Sequence, residues 1–253
     1  MIVTILGCGG AGGVPSISGG WGACDPGNPR NRRRRPSLLV EAEGATVLVD
    51  TSPDLREQLL DAGVRRLDAV LYTHGHADHL HGIDDLREVN RAMRGPIDVF
   101  ADADVLARAR QRFKYAFEPL DAAYYYKPVL VSHEITGPFR VGAMEIRPFI
   151  QDHGNCTSLG FRFGDFAYST DVVNLSEAAF EVLAGVRVWT VGALVDRPHE
   201  THAHVDKVLD WIARVRPQHA LLTHMGTGLD YETLCRRLPA GVEPAYDGQQ
   251  IAL

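Results

Sequence analysis

Leu67-Asp68-Ala69-Val70-Leu71-Tyr72, followed at once by Thr73-His74-Gly75-His76-Ala77-Asp78-His79, is the stretch on which the reading of this chain turns. The first six residues are a mostly apolar run ahead of a polar segment, the pattern of a buried strand. The next seven put three imidazoles and a carboxylate into one short loop at that strand's end, where side chains can converge on a point. Such crowding is costly unless something binds it. Imidazole nitrogens with a carboxylate oxygen suit a borderline divalent cation such as zinc, manganese or iron. The competing reading is a polar surface loop that happens to be rich in histidine. The rest of the chain weighs against it, because His153, Asp171 and His224 supply the further ligands such a site requires.

The composition is that of a soluble globular protein: of 253 residues, 45% are hydrophobic and 23% charged, enough to bury a large core in one α/β domain spanning residues 1–253. No apolar run approaches the roughly 20 residues needed to cross a bilayer, and Met1-Ile2-Val3-Thr4-Ile5-Leu6 lacks the basic flank of a signal peptide. A cytoplasmic protein without a membrane partner is expected. Cys8, Cys24, Cys156 and Cys235 form no CxxC pair, so neither a thiolate zinc site nor a disulfide framework is indicated. A net charge of −6 argues against an extended nucleic-acid interface. Arg30 and the run Arg32-Arg33-Arg34-Arg35 are a local exception, either a solvated loop or a source of one or two cations for an anionic substrate.

Around the histidine loop, strands are expected over 1–6, 38–50, 97–101, 129–132, 144–150, 158–164, 166–169, 187–192 and 220–223. Helices are expected over 54–62, 84–93, 103–113, 174–184, 204–214 and 230–237. Ser52-Pro53-Asp54 and Asp84-Asp85 serve as N-terminal caps. This mixture favours an αββα sandwich, two mixed β-sheets flanked by helices, over a doubly wound parallel sheet. Gly7-Cys8-Gly9-Gly10-Ala11-Gly12 matches GxGxxG formally, but Gly13-Val14-Pro15-Ser16 follows where a dinucleotide site needs a helix. Close approach of backbone to a site or to another strand explains these glycines better.

Taken in order, Asp50, the HxHxDH loop at 74–79, His153, Asp171 and His224 resemble the metallo-β-lactamase-fold hydrolases over essentially the whole chain. The resemblance implies two divalent metal ions, zinc or manganese with iron possible. His74, His76 and His153 would hold one, and Asp78, His79 and His224 the second. Asp171 would bridge them, and Asp50 would support the ligands from behind. Independently of any family, two cations about 3.5–4 Å apart need a bridging carboxylate to offset their repulsion. Read alone, Asp171 could equally cap the helix starting near Asn174. His153 could be a surface histidine, and His224 a core residue.

A narrower likeness rests on Gly9 to Ser16, Arg33 and Arg35 before Ser37, Thr201-His202, Leu222-Thr223-His224-Met225 and Tyr246-Asp247-Gly248. These segments resemble the branch holding the phosphoribosyl cyclic phosphodiesterases, close to the tRNA 3′-processing endonucleases. That branch implies that His202 acts at the phosphate, with His204 as the rival proton donor and possible substrate contact. His202 and Asp78 are the expected catalytic residues. Arg33, Arg35 and Lys127 are expected to add charge at the phosphate, and Phe113-Lys114-Tyr115 with Tyr124-Tyr125-Tyr126 either wall the cleft or simply pack. Relatives commonly carry an aspartate where this chain has Gly192.

The expected function is therefore hydrolysis of a small or cyclic phosphodiester, ribose- or nucleotide-like, with a small-molecule partner and, from the resemblance, a homodimer. The alternatives are lactonase or thioesterase chemistry on the same metals, an RNA endonuclease, and a metal-bound nucleotide-sensing module. Branch members often hold a structural zinc through a cysteine cluster in the early loop and a late histidine. Here only Cys24 and Thr227 stand at those places. Elemental analysis of the purified protein should give two tightly bound metal ions per chain, and three would overturn this reading.

Overall fold

The computed structural model describes residues 1–120 and 124–253. In chain order the first half runs β1 (Ile2–Gly7), β2 (Ser37–Ala42), β3 (Ala45–Val49), α1 (Leu55–Asp61), β4 (Ala69–Leu71), α2 (Ala77–Leu80), α3 (Leu86–Met93), β5 (Ile97–Ala101), α4 (Ala103–Arg112) and β6 (Leu130–Glu134). The second half runs β7 (Phe139–Val141), β8 (Met144–Asp152), β9 (Thr157–Phe163), β10 (Phe166–Ser169), β11 (Asn174–Leu175), α5 (Glu177–Leu183), β12 (Val188–Gly192), α6 (Val205–Val215), β13 (His219–Thr223), α7 (Tyr231–Arg237), β14 (Val242–Pro244) and β15 (Gln250–Ala252).

Two sheets result, in the orders β15-β1-β2-β3-β4-β5-β6 and β11-β8-β9-β10-β12-β13-β14, with β7 paired to β8. Each sheet starts antiparallel and ends parallel: β3, β4, β5 and β6 run parallel in the first, β10, β12, β13 and β14 in the second. The parallel connections need crossovers, which is where the helices go. The period-2 alternation of the strands divides the core between layers. Leu38, Val40, Val47 and Val49 face the second sheet, meeting Ile146, Phe161, Phe163 and Tyr168. Leu39 and Leu48 point the other way, onto Leu55, Leu59 and Leu86 of α1 and α3. On the far side, Val205, Val208, Trp211 and Ile212 of α6 cover the second sheet. The architecture is the four-layered αββα sandwich, each fully buried apolar side chain contributing about 1.5–3 kcal/mol.

The sequence segments that end parallel strands end at one rim. Asp50 follows β3, the histidine loop follows β4, Asp171 follows β10 and His224 follows β13. Carboxyl ends of parallel strands are where α/β sheets present their ligands. The two sheets are also stitched together there. The Leu159 amide donates to the Thr73 carbonyl (2.8 Å), Met225 N donates to Cys8 O (2.8 Å), and Gly10 N donates to Met225 O (3.2 Å). A Cβ on Gly10 would lie 2.7 Å from Leu194 Cδ1 and 3.7 Å from His224 Nε2. Close backbone approach is thus the use of that glycine-rich turn.

Local details differ from the sequence reading where tertiary contacts compete. Helix 174–184 begins only at Glu177, because Asn174 and Leu175 pair with Asp152 and Gln151. Ser176 is its cap, accepting from Ala179 N at 3.2 Å, so Asp171 is not a cap. Asp54 precedes α1 without capping it. Its carboxylate takes the Arg35 side chain in a bidentate pair and the Arg35 amide (2.9 Å), stronger partners than a helix-end N–H. Strands β7, β14 and β15 are three residues each, too short for periodicity to register.

Asp247 ties β1 to the early loop, accepting from Cys8 N (3.0 Å) and Arg34 N (2.7 Å). Burial pushes its carboxyl from 3.8 up to about 6, despite the lowering effect of those amides. Its folded pKa exceeds the unfolded one, so the proton stabilises the fold below the unfolded value and that contribution is lost as pH rises through 6. Asp247→Asn removes this titration. The unfolding free energy of the wild type minus that of the variant should grow by up to about 3 kcal/mol from pH 7 to pH 4. Denaturant unfolding at the two pH values checks this, and a flat difference would contradict it.

Candidate metal centre

The chain turns sharply after each strand that carries a ligand. Asp50, Asp171 and His224 all take left-handed backbone, with φ of 64°, 49° and 54°. Non-glycine residues pay strain for that conformation, about 1–3 kcal/mol, and such outliers gather at functional sites. The turns aim the side chains inward. One ligand atom from each of His74, His76, His153 and Asp171 lies within 4.8 Å of the others. Asp78, His79, Asp171 and His224 do the same, so Asp171 belongs to both groups. Its Oδ2 stands 3.0 Å from His79 Nε2 and 3.3 Å from His224 Nδ1, and its Oδ1 3.5 Å from His153 Nε2 and 3.8 Å from His74 Nε2.

Whether these residues suit cations can be judged from their unmet needs. Nε2 of His74 is buried without a hydrogen-bond partner, and Nε2 of His79 is buried against the carboxylates of Asp171 (3.0 Å) and Asp78 (3.2 Å). Four imidazoles crowd together, His74 lying 4.5 Å from His76, 4.3 Å from His79 and 5.1 Å from His153 between ring centroids. Desolvation and neighbouring imidazoles hold His74 well below its ordinary value, and burial pulls His224 down to about 4, despite the Asp171 carboxylate. Both are thus favoured as neutral imidazoles, the ligating form. Burial also works against a charged His79, but Asp171, Asp78 and Asp50 outweigh it and raise that imidazole. Burial would raise Asp171, but the imidazoles packed around it, His79 being the one held charged, and the hydrogen bond with His202 keep it well below the usual carboxylate range. Buried ring nitrogens around a shared carboxylate, one of them orphaned, fit divalent cations.

Behind the ligands, Asp50 is fully buried and takes His79 Nδ1 at 2.7 Å, Thr73 N at 2.8 Å and Thr73 Oγ1 at 2.8 Å. Such an outer contact selects the tautomer that leaves Nε2 free to ligate. His153 Nδ1 is fixed likewise by the Thr201 carbonyl at 2.8 Å. Sequence reading missed a regular signal here: a threonine immediately precedes His74, Asp171, His202 and His224. Three of those hydroxyls bond the following side chain, Thr73 to His74 (3.0 Å), Thr170 to Asp171 (2.7 Å) and Thr201 to His202 (2.8 Å).

The structure brings His202 to this cluster, its Nε2 3.1 Å from Asp171 Oδ1 and its ring stacked at 5.2 Å on His224. His204 sits instead at the N-terminal boundary of α6, where its backbone pairs with Val195. The cations expected at the phosphate are engaged elsewhere. Arg33 is buried, donating to Gly226 O (3.3 Å) and Asn31 Oδ1 (3.3 Å) beside Cys24 Sγ (3.9 Å), and so pins the early loop to the turn after His224. Arg35 is paired with Asp54. Lys127 donates to Tyr115 O (2.7 Å) and to Glu118 O. Partners within the fold, a carboxylate for Arg35 and neutral acceptors for Arg33 and Lys127, took all three. Phe113 packs on His81, and Tyr115 donates to Asp84. A Cβ on Gly192 would lie 3.4 Å from Asp171 N and 3.7 Å from His224 Cβ, so a side chain there would enter among the ligands.

A family model described as the β-lactamase superfamily domain matches residues 45–225. The chain belongs to the metallo-β-lactamase-fold hydrolases. Within that superfamily, the crystal structure of a diphosphatase from the PhnP family superposes with a TM-score of 0.91 at 33% identity, covering 100% of this chain and 97% of that one. A Porphyromonas gingivalis protein named octanoyltransferase is 32% identical over 250 residues, 96% of this chain and 50% of that protein. A ribonuclease Z of Bradyrhizobium sp. is 47% identical over 68 residues, 26% of this chain and 23% of that protein. The chain thus spans about half the length, or less, of these curated relatives. The likeness to the PhnP-family structure, together with the ribonuclease Z match, supports the tRNA-processing-like branch of that superfamily. Among the described residues no helix is long and apolar enough to cross a membrane.

Asp50→Asn keeps the shape but loses the acceptor for His79 Nδ1. It should weaken binding of one metal equivalent by about 10–100-fold, measured by chelator competition, whereas unaltered affinity would deny Asp50 this supporting role.

Proposed function

We propose that the protein is a dinuclear metal-dependent phosphodiesterase acting on a small or cyclic, ribose- or nucleotide-like phosphodiester. The observation that carries this reading is the carboxylate of Asp171, which belongs to two ligand groups at once and has His202 at hydrogen-bonding distance. His74, His76 and His153 would hold one cation, Asp78, His79 and His224 the other, and Asp171 both. Two such cations, when bound, lower the pKa of water toward neutrality and neutralise phosphoryl oxygens.

The protein's own groups supply the rest. Asp50 and the Thr201 carbonyl orient the rings of His79 and His153. Asp78 keeps a carboxylate at the reaction centre, with the ring of His79 holding its proton affinity below the ordinary range against the effect of burial. His202 is only 16% exposed and its Nδ1 faces Thr201 Oγ1, which leaves Nε2 aimed at the cluster. From there it donates a proton to the departing oxygen, a help that a thioester, with its thiolate leaving group, does not need. The likeness to a diphosphatase supports chemistry at phosphorus, and the net charge of −6 favours small substrates over a polynucleotide.

Initial rates on a panel of an aryl phosphodiester, a ribose 1,2-cyclic phosphate, a 2′,3′-cyclic nucleotide, a diphosphate-linked nucleotide, a lactone and a thioester test the reading. Turnover confined to the phosphorus compounds is expected, and turnover only on the lactone or thioester would overturn it. His202→Ala should lose about 10²–10⁴ in turnover while binding its metals as before. Undiminished turnover would remove His202 from the mechanism.

A further inference from the structure

Beside the cluster lies a cleft of about 800 Å³ whose lining includes Arg108, Asp104, Asn155, Thr157, Asn174 and Ser176. Its lining holds none of the candidate metal ligands but is continuous with two of the loops that carry them. Asp152 and Gly154, which flank His153, form part of its wall. Arg108 lies against Gly75, between His74 and His76, with its Cδ 3.1 Å from where a Cβ on Gly75 would sit. On the same helix, Arg112 donates to the Gly75 carbonyl at 2.8 Å, so α4 is clamped to the ligand loop and carries Arg108 at a fixed offset from it.

Unlike Arg33, Arg35 and Lys127, Arg108 is open to solvent. Its side chain is 48% exposed and, among the described residues, its one ion pair is with Asp104 four residues earlier, at 2.8 Å. An exposed pair of this spacing is worth little and is readily exchanged. A phosphoryl group offers a guanidinium a better, bidentate partner. The other carboxylate in the cleft, Asp152, is already held by Asn174 Nδ2 (2.7 Å) and Gly154 N (2.8 Å). Lys207 adds a second cation nearby through its bond to Asn174 Oδ1 (2.6 Å). The remaining lining sets the amides of Gln151, Asn155 and Asn174 and the hydroxyls of Thr157 and Ser176 beside Ile150, Cys156 and Leu175, a mixed surface on which a sugar can both hydrogen-bond and pack.

We propose that this cleft receives the half of the substrate beyond the scissile bond and that Arg108 binds a second anionic phosphoryl group there, making diphosphate-linked compounds the preferred phosphodiesters. The inference rests on the phosphodiesterase reading but is tested apart from it. The first readout is the ratio of kcat/KM for a diphosphate-linked nucleotide to that for an aryl methyl phosphate. Arg108→Gln should lower this ratio about tenfold or more, chiefly through KM. Asp104→Asn, which removes the competing carboxylate, should raise it. A ratio unmoved by either variant, or moved down by both, overturns the proposal.

The second readout needs no turnover: the affinity of the metal-loaded protein for α,β-methylene-ADP relative to AMP, by calorimetry. Arg108→Gln should erase the preference for the former. If the wild type hydrolyses no phosphodiester, the functional reading fails, and this binding ratio alone still decides the role of Arg108. A ratio equal in wild type and variant rejects it.

Discussion

The carboxylate of Asp171 is 3% exposed and faces ring nitrogens of His79, His202 and His224 within 3.3 Å. A carboxylate so far from water is unfavourable unless positive charge or hydrogen bonds compensate it. Every compensating group reaches it from a different strand end. His79 comes from the segment after β4 of the first sheet, His202 from the loop after β12 and His224 from the end of β13 of the second. The site therefore exists only if the two sheets meet at their carboxyl rim in one register. The Leu159–Thr73 and Cys8–Met225 hydrogen bonds set that register, backed by the apolar layer between the sheets.

Strain is concentrated where the chemistry is. Asp50, Asp171 and His224 occupy left-handed backbone that their side chains disfavour, and each is followed or preceded by a residue locked in the core, such as Val49, Val172 and Met225. The packed sandwich overdetermines these turns, so the ligands are held in place before anything binds. The outer contacts serve the same end: Asp50 and the Thr201 carbonyl choose tautomers rather than contribute ligands.

Charge is distributed differently from what the basic run at 30–35 suggests. Arg33 is buried and the partly exposed Arg35 is paired with Asp54, so the two hold the long early loop to the turns after His224 and before α1. The solvent-accessible cations beside the site come from Arg108 of α4 and Lys207 of α6, helices whose basic residues look like ordinary solvated surface in one dimension. This inversion follows from burial: a guanidinium inside the fold must be fully partnered, so a buried arginine is a structural clamp and leaves recognition to an exposed one.

How much was legible in the chain depended on how local each constraint is. The HxHxDH run, with Asp50, His153, Asp171 and His224 in order, pointed to both the candidate ligand cluster and the fold, since buried-strand and helix periodicities are short-range properties. The threonines ahead of four site residues were equally visible, though their meaning required knowing which rings they orient. What only the tertiary structure decided were matters of partner choice: Asp54 pairing with Arg35 instead of capping α1, Ser176 rather than Asp171 starting α5, Arg33 turned inward, and His202 rather than His204 placed beside Asp171. Each is a competition among polar groups far apart in sequence for the strongest available neighbour. Such competitions are settled by which strand ends are brought together, information that no local pattern of residues contains.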